Sequence, residues 1–215
     1  MSALPNRPME YLARAPLTKG RPGSRVTFFP SRKNGGPLAC GNLLQADYCV
    51  HLEYRQDVVT YQCRPPTVCC DALRYKADFL VVLNNGSEVY LKFLPPDAQP
   101  RGFIRHPQQA MEAMLQDRNL LFAWLVPQDL PHALVSYNLR YLYHNGFCSS
   151  QGAARQARNR VDAMPDHRAT VEAMVASGVA IADLSHAIFL DELRINLEQP
   201  LTSQTMINGG RDGQL

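Results

Sequence analysis

Apolar positions along the chain come in short bursts punctuated by proline and glycine. From Gly41 to Tyr54, GNLLQADYCVHLEY carries Leu43, Leu44, Val50 and Leu52 with few breakers, a helical pattern of weak periodicity. VVTYQCRPPTVCC is β-branched and aromatic, but Pro65 and Pro66 deny it amide donors midway, so an edge or bent strand is expected. YKADFLVVLNNGSEVYLKF, residues 75–93, reads as two strands around a glycine turn. A two-residue Asn85-Gly86 loop leaves Asp78 and Lys92 on opposite faces of this hairpin. A three-residue Asn84-Asn85-Gly86 loop with Gly86 left-handed pairs them instead, and that register is the one expected. After the proline-rich LPPDAQPRGFIRHP, QQAMEAMLQDRNL is built of strong helix formers, and LFAWLVP has the pattern of a strand buried on both faces. HALVSYNLRYLYHN and VEAMVASGVAIADLSHAIF are helical, separated by the polar, arginine-bearing CSSQGAARQARNRVDAMPDHRAT. Helix, strand, hairpin, helix, strand predicts a mixed α/β core, followed by a helical region that begins near residues 130–145.

Composition narrows the class. The 215 residues suffice for one compact domain or two small ones, and a 46% hydrophobic content with both charge signs present argues for a packed core over disorder. Nothing approaches the roughly 18 consecutive apolar residues of a membrane span, and MSALPNRPMEYLARAP has no apolar block to serve as a signal peptide. A cytoplasmic location without membrane partners is the expectation. Cys40, Cys49, Cys63, Cys69, Cys70 and Cys148 form no C-x-x-C pair and no metal-like ladder with histidine, so they read as reduced thiols used mostly for packing.

Charge changes the picture at one end. Residues 1–39 hold Arg7, Arg14, Lys19, Arg21, Arg25, Arg32 and Lys33 against the single acid Glu10, while the formal net charge of the whole chain is +3. The remainder is therefore net acidic. With its prolines and glycines this segment looks like an extended basic arm of the kind that lies along phosphates, and Arg21, Arg25, Arg32 and Lys33 are its candidate DNA contacts.

No glycine-rich phosphate loop, nucleophile elbow or paired metal-binding histidines appear, so candidate chemistry falls to the hairpin. Hydrolysis of a phosphodiester by a divalent ion needs hard oxygen ligands for the ion and a nearby lysine to orient water and stabilise developing charge. Asp78 is a candidate ligand and Lys92 a candidate lysine. Glu88 shares a strand face with Tyr90 and Lys92 and is a candidate replacement carboxylate.

Several blocks together resemble the TnsA family, the endonuclease subunit of heteromeric cut-and-paste transposases, within the PD-(D/E)xK, restriction-endonuclease-like superfamily. FFPSRKNGGPLACGNLLQADYCVHLEYRQDVVTYQCRPPTV is similar to its N-terminal signature, YKADFLVVLNNGSEVYLKF to its catalytic hairpin, and LLFAWLVPQDLPHALVSYNLRYLYHN to the strand and asparagine-leucine helix that follow. VEAMVASGVAIADLSHAIFLDELRINLEQPLTSQTMI is similar to its C-terminal helical end. The resemblance implies a metal-binding aspartate at Asp78 and a lysine at Lys92. It places the family's glutamates on Gly41 and Gln45, and the polar residue before the lysine on Tyr90. Glycine offers no side chain and a neutral phenol is a poor ligand for a hard ion, so the implied active site is degenerate.

The fold expected is α/β: a restriction-endonuclease-like mixed sheet flanked by helices, with a small helical C-terminal region. The division expected is a basic arm over 1–39, a core over 40–135, and a helical or winged-helix-like region over 136–215. The function implied is a TnsA-like subunit, leaning catalytically inactive, that binds DNA or transposition partners, namely a DDE-type transposase subunit and an AAA-type ATPase. Two alternatives stay open. One is an active endonuclease using Mg²⁺ on Asp78, with Glu88 and Lys92; the other is a regulatory interaction protein without DNA binding and without a cofactor.

Overall fold

The computed structural model describes residues 9–17, 26–70, 73–94, 105–126 and 129–209. The chain divides into two compact units, Met1–Leu130 and Pro131–Leu215. Among the described residues no helix is long and apolar enough to cross a membrane.

The first unit is a mixed α/β core. It opens with β1 (Glu10–Leu12), β2 (Thr27–Ser31), β3 (Gly36–Cys40) and α1 (Leu43–Tyr54). Next in the chain come β4 (Val58–Cys63), β5 (Thr67–Cys70), β6 (Leu73–Tyr75), β7 (Phe79–Leu83), β8 (Glu88–Phe93), α2 (Arg105–Asp117) and β9 (Leu121–Leu125). The central sheet has the order β4-β7-β8-β9, while β5 and β6 form a separate three-stranded sheet with β1. β4, β7 and β8 are antiparallel neighbours; β8 and β9 run parallel, as the helical crossover through α2 requires. Phe79 and Phe93 meet Tyr48 of α1 at ring-centroid distances of 5.5 and 5.3 Å. Tyr90 instead packs with Val68, Tyr75, Ala77 and, from α2, Met114 and Leu115. Alternate residues of β8 thus serve two separate apolar clusters, which explains why EVYLKF carries so few polar positions.

Several expectations change in detail. The run through Pro65 and Pro66 is two strands in two sheets, β4 and β5, broken where Arg64 adopts φ 52°. LFAWL becomes β9 at the sheet's edge, and Leu121 is exposed, not buried on both faces. From Thr27 the basic segment is not extended: β2 and β3 form an antiparallel hairpin over a turn at Arg32–Gly35, with Gly35 at φ 65°. The weak periodicity of α1 also has a cause. Gln45, Ala46 and every residue from Tyr48 to Glu53 are buried, so no single stripe faces the core.

The second unit holds α3 (Ala133–Gly146), α4 (Gln151–Asp162), a 3₁₀ turn at Pro165–His167, β10 (Arg168–Thr170), α5 (Val171–Ala176), α6 (Ile181–Phe189) and β11 (Met206–Asn208). β10 pairs antiparallel with β11, and Arg194 adds an isolated bridge to Asn208. The segment expected as one helix from Val171 is broken at Gly178, whose φ of 89° supplies the turn between α5 and α6. The polar stretch between the expected helices contains α4. Ser150 caps it and its buried face is Ala154, Ala157 and Val161.

Candidate functional site

The hairpin closes with the expected register. Phe79 pairs with Leu91 and Val82 with Glu88; Leu83 and Ser87 close a three-residue loop in which Gly86 has φ 81°. At Asp78 the ladder slips. Its amide donates to the carbonyl of Leu91 at 2.8 Å, and its side chain takes the place of a ladder acceptor: Oδ2 receives the amide of Phe93 at 2.9 Å. Oδ1 receives Nε2 of Gln45 at 2.8 Å. Lys92 points its ammonium at the carbonyl of Lys76, 2.8 Å away, and among the described residues no ion pair joins Lys92 to Asp78.

Gln45 is fixed from its other end as well. Asn42 caps α1 by accepting the Gln45 amide, and Oε1 of Gln45 accepts the amide of Gly41, both at 2.8 Å. Only one orientation of the side-chain amide satisfies both neighbours, because a carboxylate accepts and a backbone N–H donates. A continuous chain of donors therefore runs from Gly41 through Gln45 to Asp78. A Cβ at Gly41 would meet Oε1 of Gln45 at 3.4 Å and nothing closer, so glycine is not demanded by space at this position.

Arg14 supplies positive charge nearby. Its Nη1 donates to the carbonyl of Ala77 at 2.7 Å; burial and then the neighbouring Arg64 lower its pKa, while attraction to Asp78 acts the other way. Gln45 and Arg14 are the two residues that the sequence does not nominate. A glutamine at a position where the resemblance places an acid is the available signal for the first; for the second there is none beyond charge.

These residues do not fit Mg²⁺. The ion requires several oxygen ligands in near-octahedral geometry. Here, among the described residues, Asp78 is the one carboxylate at the spot, each of its oxygens accepts an N–H, and Gln45 presents its nitrogen, not its oxygen, to it, so no second oxygen ligand converges there. Tyr90 is turned into the apolar cluster, where burial raises the pKa of its phenol. Glu88 stands opposite Val82, four residues along the strand from Asp78, or roughly 14 Å at about 3.4 Å per residue, and is exposed. The structure does not bring Glu88 to Asp78.

The candidate DNA contacts fare unevenly. Arg21 and Arg25 lie outside the described residues. Arg32 opens the β2–β3 turn and is half-buried. Lys33 is turned inward: Nζ donates to the carbonyls of Leu52 at 2.8 Å, Arg55 at 2.5 Å and Val58 at 2.7 Å, capping the C-terminus of α1. Beside it the buried carboxylate of Glu53 accepts from Ser31 Oγ at 2.5 Å and the Tyr61 hydroxyl at 2.8 Å. An ammonium with three acceptors inside the fold has no donor left for phosphate, which corrects the expectation for Lys33.

One turn of α1 beyond Gln45, Cys49 meets Cys40, at the end of β3, and Cys63, at the end of β4. The three sulfurs lie 3.8, 3.8 and 3.7 Å apart. Hydrogen bonds from Cys49 and Cys63 lower the pKa of Cys40, and donating to Cys40, together with burial, raises theirs.

In the second unit α5 and α6 follow each other across the turn at Gly178, the chain order of a helix-turn-helix, between β10 and β11. The helix that would enter a DNA groove in such a motif is the second. In α6 every side chain from Leu184 to Phe189 is buried. Gly146 of α3 comes so close that a Cβ there would lie 2.8 Å from the His186 amide nitrogen. α6 also helps to line a largely apolar groove of about 680 Å³, through Ile181, Leu184 and Ile188, together with Tyr137 and Tyr141 of α3 and Val175 of α5. Tyr137, Tyr141, Val175 and Ile181 are also exposed.

No protein-family model matches the chain, and no curated protein matches it.

Proposed function

We propose that this chain is a non-cleaving, TnsA-like subunit of a heteromeric transposition system, in which a restriction-endonuclease-type core serves as a binding scaffold. The observation that carries the reading is the state of Asp78: both carboxylate oxygens are held by N–H donors, one from Gln45 and one from Phe93. The order α1, β4, β7, β8, α2, β9, with β8 and β9 parallel, supports the kind of core. Double-stranded DNA, a DDE-type transposase subunit and an AAA-type ATPase are the partners the resemblance suggests.

The test is nicking of supercoiled plasmid by purified protein with Mg²⁺ or Mn²⁺. The expected result is no metal-dependent product above that of Asp78→Ala. Cleavage by the unmodified protein that is lost in both Asp78→Ala and Lys92→Ala would replace this reading with the active endonuclease.

A second reading, an interaction protein that does not touch DNA, draws on the burial of α6 from Leu184 to Phe189 and on the apolar groove that α6 helps to line. Duplex binding that is absent even at low salt, with partner capture intact, would select it.

A further inference from the structure

Three cysteines, 9 and 14 residues apart in sequence, are brought to one point by three different elements. Cys40 ends β3, Cys49 lies in the middle of α1 and Cys63 ends β4. Cys40 and Cys49 are fully buried and Cys63 is partly exposed. All three are free thiols whose sulfurs form a nearly equilateral triangle with sides of 3.8, 3.8 and 3.7 Å. A disulfide would need about 2.05 Å between two of them. A tetrahedral ion with metal–sulfur bonds of about 2.3 Å holds its sulfurs about 3.8 Å apart, and the triangle matches one face of that tetrahedron.

The chemistry of the donors selects the ion. Three thiolates prefer soft or borderline cations and exclude Mg²⁺ and Ca²⁺, which take oxygen. Among the described residues no histidine or carboxylate joins the trio, so the protein supplies three sulfur ligands. As thiols these groups have poor alternatives: sulfur is a weak acceptor, and among the described residues they reach, besides one another, the Leu38 carbonyl, 3.8 Å from Cys40.

We propose that Cys40, Cys49 and Cys63 form a three-thiolate site for a d¹⁰ thiophilic metal ion of the zinc class, tying β3, α1 and β4 together beside the Asp78–Gln45 contact. On binding, three S–H bonds break, their protons pass to solvent, three metal–sulfur bonds form, and no electron is transferred. Three protein ligands leave the fourth position of a tetrahedral ion to a ligand from solvent. The proposal does not depend on whether the chain cleaves DNA.

The test titrates the full-length, reduced protein with Cd²⁺ and follows thiolate-to-metal charge-transfer absorption in the ultraviolet, with Zn²⁺ as competitor. The expected result is saturation at one equivalent, displacement by Zn²⁺ and a raised unfolding midpoint. The triple variant Cys69→Ser/Cys70→Ser/Cys148→Ser should keep this signal, and Cys49→Ala should lose it. Should Cys49→Ala not fold, Cys63→Ser, at the partly exposed corner, takes its place. Absence of the band in the reduced wild-type protein would overturn the site. So would a band that survives in the folded Cys49 or Cys63 variant, or one that disappears with Cys69, Cys70 and Cys148.

Discussion

Gln45 decides what Asp78 can do. An amide nitrogen 2.8 Å from a carboxylate oxygen is a satisfied pair that asks for no cation. Replacing Gln45 by Glu sets two carboxylates against each other at the same spot. Like charges raise the folded-state pKa of one of them above its unfolded value. A raised carboxyl pKa favours the folded state at low pH, and that advantage is lost as pH rises through the folded value. Gln45→Glu should therefore match wild type in stability near pH 4 and fall below it by about 1–3 kcal/mol at pH 7, the usual cost of leaving a buried polar group without its partner. Urea unfolding at the two pH values checks this. Adding Gly41→Glu supplies a third carboxylate, after Asp78 and Gln45→Glu, at a position with room for a Cβ. The pair of changes should turn the pH 7 penalty into a stability that rises with Mn²⁺. Restoring a polar side chain at Tyr90 is the worse route, since that residue is 5% exposed and packs in the apolar cluster.

Lys33 poses a residue-scale question of a different kind, because sequence alone places it among the phosphate contacts. Basic residues in a stretch rich in glycine and proline look alike, and nothing local says which one folds back onto a helix end. Lys33→Met should cost about 1–3 kcal/mol through three carbonyls left without a charged donor at the end of α1. Burial is the first cause of the lowered pKa of this ammonium, and the nearby Glu53 carboxylate opposes it.

At the scale of elements, packing by very small side chains is what the hydropathy pattern fails to register. α4 is hidden because its buried face is Ala154, Ala157 and Val161, among arginines and glutamines that dominate the pattern. The α3–α6 contact is likewise invisible beforehand: it depends on Gly146, which reads as a helix terminator. Gly146→Ala would place a methyl 2.8 Å from the backbone nitrogen of His186, which cannot move without α6. A loss of about 1–3 kcal/mol is expected, the usual cost of overpacking. Gly152→Ala is the control. It lies in the first turn of α4, where a Cβ meets only Ser150 Oγ at 3.8 Å, and should stabilise by up to about 1 kcal/mol. Thermal unfolding of the two variants should move in opposite directions.

Hairpin register, by contrast, is legible in the sequence, because turn chemistry and alternation are local. Asn84, Asn85 and Gly86 admit few loops, and only the three-residue one keeps Phe79, Val81, Leu91 and Phe93 on a common face. What alternation cannot reveal is the slip at Asp78, where a side chain replaces a main-chain acceptor in the ladder. The order α1, β4, hairpin, α2, β9 is readable for the same reason, whereas β1, the β2–β3 hairpin and β6 are not, because they are short and set among prolines, glycines and charges. The break into β4 and β5 is only half readable: two prolines announce a bend but not a change of sheet.

At the scale of the whole molecule the charge split is the feature to test. Two of the basic residues before residue 40 act inside the fold: Arg14 donates to Ala77 and Lys33 caps α1. On the proposed reading, phosphate binding by the N-terminal segment is assigned to Arg21, Arg25 and Arg32, the last of which opens the β2–β3 turn. Removing one phosphate-binding cation lowers the slope of log affinity against log salt by roughly 0.9 on duplex DNA. Neutralising Arg21, Arg25 and Arg32 together to Gln should flatten the slope measured on a short duplex by up to about 2.7. Lys33→Met should leave it unchanged while lowering stability. The two sets of variants therefore separate a cation that holds DNA from one that holds a helix. A slope that ignores the arginines yet shifts with Lys33 would mean that the inward-turned ammonium, not the arm, is what nucleic acid meets.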